Sequence, residues 1–126
     1  MAADFNEAGI GAKLAAMSPS EADTLEFGVI GMDAQTIVRL YNTHESKYAG
    51  LGAERVLGQP LFAAVAPCMN NFMVAQRFED TANAGACLDA TIDYVLTLRM
   101  RPIKVKMRLI AQPEYPLRYV LVARAP

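Results

Sequence analysis

Residues 87–123, CLDATIDYVLTLRMRPIKVKMRLIAQPEYPLRYVLVA, decide the fold class. They divide into three runs of strand character, 87–100, 103–111 and 117–123. The breaks fall at Arg101-Pro102 and at residues 112–116, where prolines cannot donate to a sheet ladder. In the middle run Lys104, Lys106 and Arg108 alternate with Val105, Met107 and Leu109. That period of two marks a half-exposed strand and puts the three cations on a solvated face. Upstream, 26–32 (EFGVIGM) reads as a buried strand, 33–35 as a turn, and 36–41 (TIVRLY) as a second, β-branched strand. The order is therefore two strands, several helices, then three strands. It predicts an α+β domain with a five-stranded antiparallel sheet and the helices on one face.

The helices are short by their signals. Residues 10–17 are apolar at Ile10, Leu14 and Met17, the spacing of a short amphipathic helix. Ser18, Pro19 and Glu21 have the form of a capping box with proline at the first helical position. Asn42-Thr43-His44-Glu45 repeats that form and predicts a helical turn over 42–47. Another short helix is expected over 53–57, stopped by Gly58 and Pro60. The longest is expected over 71–84, with Phe72, Ala75, Phe78 and Ala82 on one face and Gly85 at its C-terminal end.

Composition bounds the function. Twelve basic residues against 13 acidic ones give a formal charge of −1, which excludes a binder that depends on neutralising phosphates. A hydrophobic content of 53% excludes an acidic disordered tail. The length of 126 residues suits one domain that buries enough surface to fold without a metal or disulfide. No apolar stretch is long enough to span a membrane, and the N-terminus lacks the pattern of a secretory signal. The expectation is a cytoplasmic protein with Cys68 and Cys87 as free thiols. The single histidine, His44, leaves metal and Ser-His-Asp chemistry without partners and reads as solvent-facing.

The chemically informative residue is Cys68, in VAPCMNNF. A free cysteine in an apolar run is ordinarily a small buried hydrophobe. Pro67 fixes the chain before it, however, and the expected helix from residue 71 would bring N–H groups that favour a thiolate or a developing negative charge. Cys87, in a strand-like run, keeps the packing role. Tyr41 and Glu45 are four residues apart across a strand end and a helical turn, and point the same way if the turn forms.

At YNTHE (41–45), VLGQPLFAAVAPC (56–68) and DYVLTLRMRPIKVK (93–106) the chain resembles the photoactive yellow protein family, small PAS-fold blue-light receptors. The resemblance extends over nearly the whole chain, including Phe27-Gly28 and the final strand. It implies a single domain over 1–126, with 1–25 an N-terminal helical cap and 26–126 a PAS core whose sheet is flanked by short helices. It implies p-coumaric acid (4-hydroxycinnamic acid) as a covalent thioester on Cys68. Tyr41 and Glu45 would hydrogen-bond the phenolate, with Glu45 a buried acid that donates its proton after isomerisation. Met100 would contact the pocket and assist thermal recovery. A buried Glu with no cation beside it stays protonated, which is the physical basis of that role.

In this sequence the family's usual threonine beside the tyrosine is Ala49, its usual arginine over the chromophore is Leu51, and an aromatic near the pocket rim is Leu98. The implied function is a non-enzymatic light receptor that signals by trans–cis isomerisation and proton transfer to a downstream protein. Such a receptor acts without nucleic acid, membrane or metal, as a monomer or weak dimer. The alternative is a light-insensitive PAS domain that binds a small ligand or a partner. A thiol enzyme using Cys68 is the weakest reading, since the sole histidine lies beside Glu45 and nothing marks an oxyanion hole.

Overall fold

A computed structural model describes residues 3–97 and 101–124. The five strands are β1 (Gly28–Met32), β2 (Val38–Tyr41), β3 (Leu88–Leu96), β4 (Ile103–Ala111) and β5 (Arg118–Arg124). They form one sheet in the order β2-β1-β5-β4-β3, with every neighbouring pair antiparallel. The strand nearest the C-terminus therefore lies at the centre and joins the N-terminal hairpin to the C-terminal one.

Side chains alternate across this sheet, and each face carries its own core. On one face Ile30, Met32, Val105, Met107, Leu109, Val120 and Val122 pack with Leu61, Met69 and Phe78 from the connecting segment. That segment holds α3 (Thr43–Ala49), α4 (Ala53–Val56), a π-helical turn Leu61–Val65, a 3-10 turn Pro67–Met69 and α5 (Ala75–Asn83). On the other face Val29, Ile110, Tyr119 and Leu121 pack with Ile10, Leu14, Leu25 and Phe27. These last belong to α1 (Ile10–Ala16), α2 (Pro19–Ala22) and the residues after them. The helices are thus not all on one face. The N-terminal ones cap the opposite face, because Ile10 and Leu14 are apolar enough to cover it.

Local chemistry accounts for the short helices. Ser18 and Glu21 form the full capping box of α2. At α3 the box is only half made: Asn42 Oδ1 accepts from the Glu45 N–H at 3.1 Å, while the Glu45 carboxylate is drawn elsewhere. Asn42 is fully buried and also accepts from Val29 N–H and donates to the carbonyls of Ala22 and Phe27. One side chain thereby ties the cap, β1 and α3 together, with all its polar capacity used.

Two expectations need correction. The helix predicted over 71–84 begins at Ala75, because the Asn71 carboxamide accepts from the N–H groups of Met73 and Val74 and holds the chain in a turn. Phe72 is consequently 80% exposed, Ala82 is exposed, and Phe78 is the residue of that set that is buried. Nor do the three cations of β4 share a solvated face. Lys104 and Lys106 are exposed, but Arg108 is buried beneath the N-terminal segment. No helix among the described residues is long and apolar enough to cross a membrane.

Candidate functional site

Cys68 sits in the 3-10 turn Pro67–Met69, half-buried against the helix-side core. Its carbonyl accepts from the Tyr94 hydroxyl at 2.6 Å and from Asn71 Nδ2 at 3.2 Å, and that same Nδ2 also reaches Tyr94 at 2.6 Å. A residue of β3 therefore fixes the backbone that carries the thiol. The helix expected just after Cys68 starts seven residues on, so the thiol has no helix N-terminus beside it. Cys87 is an exposed free thiol just before β3.

Tyr41 closes β2 on the same core cluster, as does the half-buried Leu51, and Ala49 is buried in α3. Burial, and then the charge of Glu45, push the Tyr41 phenol well above its ordinary value, while Arg124 opposes them. Ala49 offers no hydroxyl, and no hydrogen bond holds the Tyr41 hydroxyl among the described residues. Met100 and Leu98 lie outside the described residues.

Glu45 is where the structure adds most. Its side chain is 1% exposed and lies against Arg124, itself 9% exposed. Arg124 Nη1 donates to Oε1 at 2.7 Å and Nη2 to Oε2 at 3.0 Å, a fork-to-fork pair. The carboxylate rests over β1 at Gly28, where a Cβ would collide with it. The premise of a buried acid without a cation therefore does not hold: the sequence comparison loses an arginine at Leu51, and the structure brings another from β5. A signal for it was present. Val120, Val122 and Arg124 share a strand parity, and the first two face the core.

Arg124 is only partly satisfied. Its Nε is buried with no partner, and its guanidinium carbon stands 6.0 Å from the ring centre of the half-exposed Tyr48. His44 is half-buried rather than simply solvent-facing. It stacks on Tyr48 at 4.5 Å, and its Nδ1 is a second buried atom without a partner. Burial, then Arg124, hold its imidazole below the ordinary range. The described residues contain no group of three or more metal-ligating side chains.

Cys68 and Tyr41 thus share one apolar cluster, and the Glu45–Arg124 pair lies close enough to Tyr41 to act on its phenol. No family model matches the chain. Among curated proteins it is 30% identical over 105 residues to the photoactive yellow protein of Rhodothalassium salexigens, spanning 83% of each chain. To that of Halochromatium salexigens it is 34% identical over 96 residues, 76% of each chain. Among solved structures, the photoactive yellow protein domain of the sensor histidine kinase Ppr from Rhodospirillum centenum superposes with a TM-score of 0.81 at 32% identity. That match covers 90% of this chain and 99% of the domain. A PAS domain of the Cronobacter turicensis receptor RpfR shares the fold at a TM-score of 0.61 and 14% identity, over 80% of this chain and 95% of that one. With the PAS-type sheet, its cap and two curated relatives at thirty per cent identity or more in hand, the chain belongs to the photoactive yellow protein family.

Proposed function

We propose that this chain is a blue-light photoreceptor carrying p-coumaric acid as a thioester on Cys68. The observation that carries the reading is the half-buried Cys68 on the same core cluster as Tyr41, in a family of light receptors. Loading starts from an activated p-coumaroyl ester. Cys68 Sγ attacks its carbonyl carbon, the new S–C bond forms, the leaving group departs with its electron pair, and the thiol proton passes to solvent. The Tyr94 and Asn71 bonds to the Cys68 carbonyl support a fixed anchor. Tyr41 and Glu45 would hold the ring hydroxyl and Ala49 and Leu51 would line the pocket, and the resemblance implies a part there for Met100 as well.

When bound, the group supplies visible or near-ultraviolet absorption and a trans–cis isomerisation. The protein's part is to exclude water, orient the ring end, and let a proton move between Glu45 and the hydroxyl. A change of charge on the buried Glu45 alters its pair with Arg124, so that proton movement stresses α3 and the end of β5. The stress is relieved through the N-terminal cap, which meets the sheet at Arg108, and a downstream signalling protein reads the change.

The test is reconstitution. Incubated with activated p-coumarate, the protein gains one hydroxycinnamoyl mass on Cys68, and Cys68→Ala gains none. A flash then bleaches and restores the absorption band. An adduct on Cys87, or none, overturns the attachment. An adduct on Cys68 with no light-induced change leaves a PAS domain that binds ligand without responding to light.

A further inference from the structure

The sheet has two edges, and they are finished differently. At the β2 edge the chain closes its own backbone. Val38 N–H donates to the carbonyl of Gln59, Gly58 N–H to that of Val38, and Leu61 N–H to that of Thr36. At the β3 edge no backbone group of residues 88–96 bonds outside the β3–β4 pair among the described residues. We propose that the β3 edge is a docking surface for a second copy of this chain. The two β3 strands pair antiparallel about a two-fold axis at Ile92 and join two five-stranded sheets into one. The inference goes beyond the pigment reading and does not depend on it.

An edge strand presents a row of open N–H and C=O groups, and proteins ordinarily blunt it with a proline, a bulge, a short strand or an unmatched charge. β3 carries none of these. It runs nine residues without proline, and its register with β4 is unbroken from Leu88 opposite Ala111 to Leu96 opposite Ile103. Its two acids are already matched within the chain: Asp89 holds Arg108 and Asp93 holds Lys106, each at 2.7 Å.

What points to a second copy is that the strand complements itself. The two-fold keeps each face of the sheet continuous, so residues opposite each other share a parity. Ile92 is the middle of the strand, and an axis there pairs its full length. On the helix side Ile92 then meets its own copy, Ala90 meets Tyr94, and Leu88 meets Leu96. Ala90, Ile92 and Tyr94 are only partly buried in the single chain, so the pairing covers apolar surface. On the other side Thr91 meets Asp93 and Asp89 meets Val95, a hydroxyl beside a carboxylate and an acid beside an apolar residue. An axis at Thr91 would set Asp89 against Asp93, and an axis at Asp93 would set that acid against its copy. Like charges directly opposite destabilise a strand pair, so the carboxylates select Ile92. The turn beside the strand adds apolar cover. Asn71 Nδ2 reaches the Tyr94 hydroxyl at 2.6 Å and keeps the exposed Phe72 and Met73 next to β3.

The experiment is sedimentation of the purified chain over a concentration series. Wild type passes from monomer to dimer as concentration rises. Thr91→Asp sets an acid against Asp93 twice in each dimer and should weaken association about tenfold. In its own chain position 91 lies opposite Arg108, so the substitution is tolerated by the fold. Thr91→Asp/Asp93→Asn removes the opposed charges and should restore association to near the wild-type level. The axis itself is read by mild oxidation in a Cys87→Ser background, with the bridge located by peptide mass. Ile92→Cys should couple to its own copy, whereas Thr91→Cys and Asp93→Cys, whose copies lie off the axis, should couple far less. Far-ultraviolet dichroism checks that each variant folds, and if Thr91→Asp does not, the cross-links decide. A chain that stays monomeric at every concentration overturns the proposal. So does an association that the folded Thr91→Asp leaves unchanged, or a bridge that forms more readily through position 91 or 93 than through 92. Failure of Cys68 to load would overturn the pigment reading and leave these measurements as they stand.

Discussion

Among the described residues two arginines have side chains less than a tenth exposed, one on each face of the sheet, and they are satisfied differently. Arg108 on β4 faces the N-terminal cap. Its Nε and Nη2 bind the two oxygens of Asp89, and its Nη1 donates to the carbonyls of Phe5 and Glu7 at 2.9 and 2.8 Å. Arg124 on β5 faces the helices, spends two N–H groups on Glu45, and keeps a buried Nε free. The Asp89 side chain is 52% exposed, whereas that of Glu45 is 1% exposed. The first guanidinium works as a clasp, saturated and backed by a solvated acid. The second forms a buried ion pair with capacity to spare. Burial and unmet donors, more than the presence of a charge, separate a fastening from a site.

The largest effect is expected from breaking the inner pair on one side. Glu45→Leu leaves the Arg124 guanidinium buried without its acid and should cost about 3–5 kcal/mol in urea unfolding. Adding Arg124→Met should restore most of that loss, since an apolar pair of similar volume replaces two desolvated charges. A double variant as unstable as Glu45→Leu alone would show that the acid fills a packing role that leucine cannot take.

Breaking the clasp should cost less. Arg108→Met removes the charged donor to two cap carbonyls and to Asp89, whose exposure lets water take over part of the loss. About 1–3 kcal/mol is expected. Proteolysis should become faster in the segment before α1, because the tether lies at Phe5 and Glu7. The outer pair also carries a pH dependence. Arg108 holds the Asp89 carboxyl below its ordinary 3.8, against a smaller opposing effect of burial. Its contribution is whole above the unfolded value, near 3.9, and is lost as pH falls through the folded one. Acid unfolding of Arg108→Met should lack that component. The same variant, once loaded, should keep the wild-type absorption spectrum. A changed spectrum would place Arg108 in the light-sensing site and end the contrast.

The fold was legible in the sequence because its signals were local. The prolines at 102, 113 and 116 punctuate β3, β4 and β5, and alternation marks β4. The capping box at Ser18 formed as read. What escaped was set by distant parts of the chain. Nothing near Arg108 announces that residues 5 and 7 will cover it. Nothing within 42–47 shows that the Glu45 carboxylate will leave its own helix terminus for a strand 79 residues away. Tyr41, Glu45 and Cys68 were singled out through a motif, whereas the Arg124 partner of Glu45 could be read only by carrying the strand parity of Val120 and Val122 two residues further.

The smallest expected effect is also the most selective. His44 is the single histidine, so its ring signals can be followed without ambiguity in a proton NMR titration. Its imidazole is held below 6.5 first by burial and then by Arg124, while Glu45 pulls the other way with less effect. In Arg124→Met the cation is lost. If Glu45 then takes up a proton, its opposing influence is lost too. Because the larger of the two charges was the arginine, the midpoint should move upward. It should still stay below 6.5, since burial remains the leading cause. The sign for stability follows. A histidine whose folded value is depressed binds fewer protons folded than unfolded, so its contribution is whole above pH 6.5 and is lost as pH falls through the folded value. That window should narrow in Arg124→Met. Arg108→Met changes a charge on the opposite face of the sheet and should leave the His44 midpoint where it was. A midpoint that moves with Arg108, or stays fixed when Arg124 is removed, would show that the two buried charges are not insulated by the sheet between them.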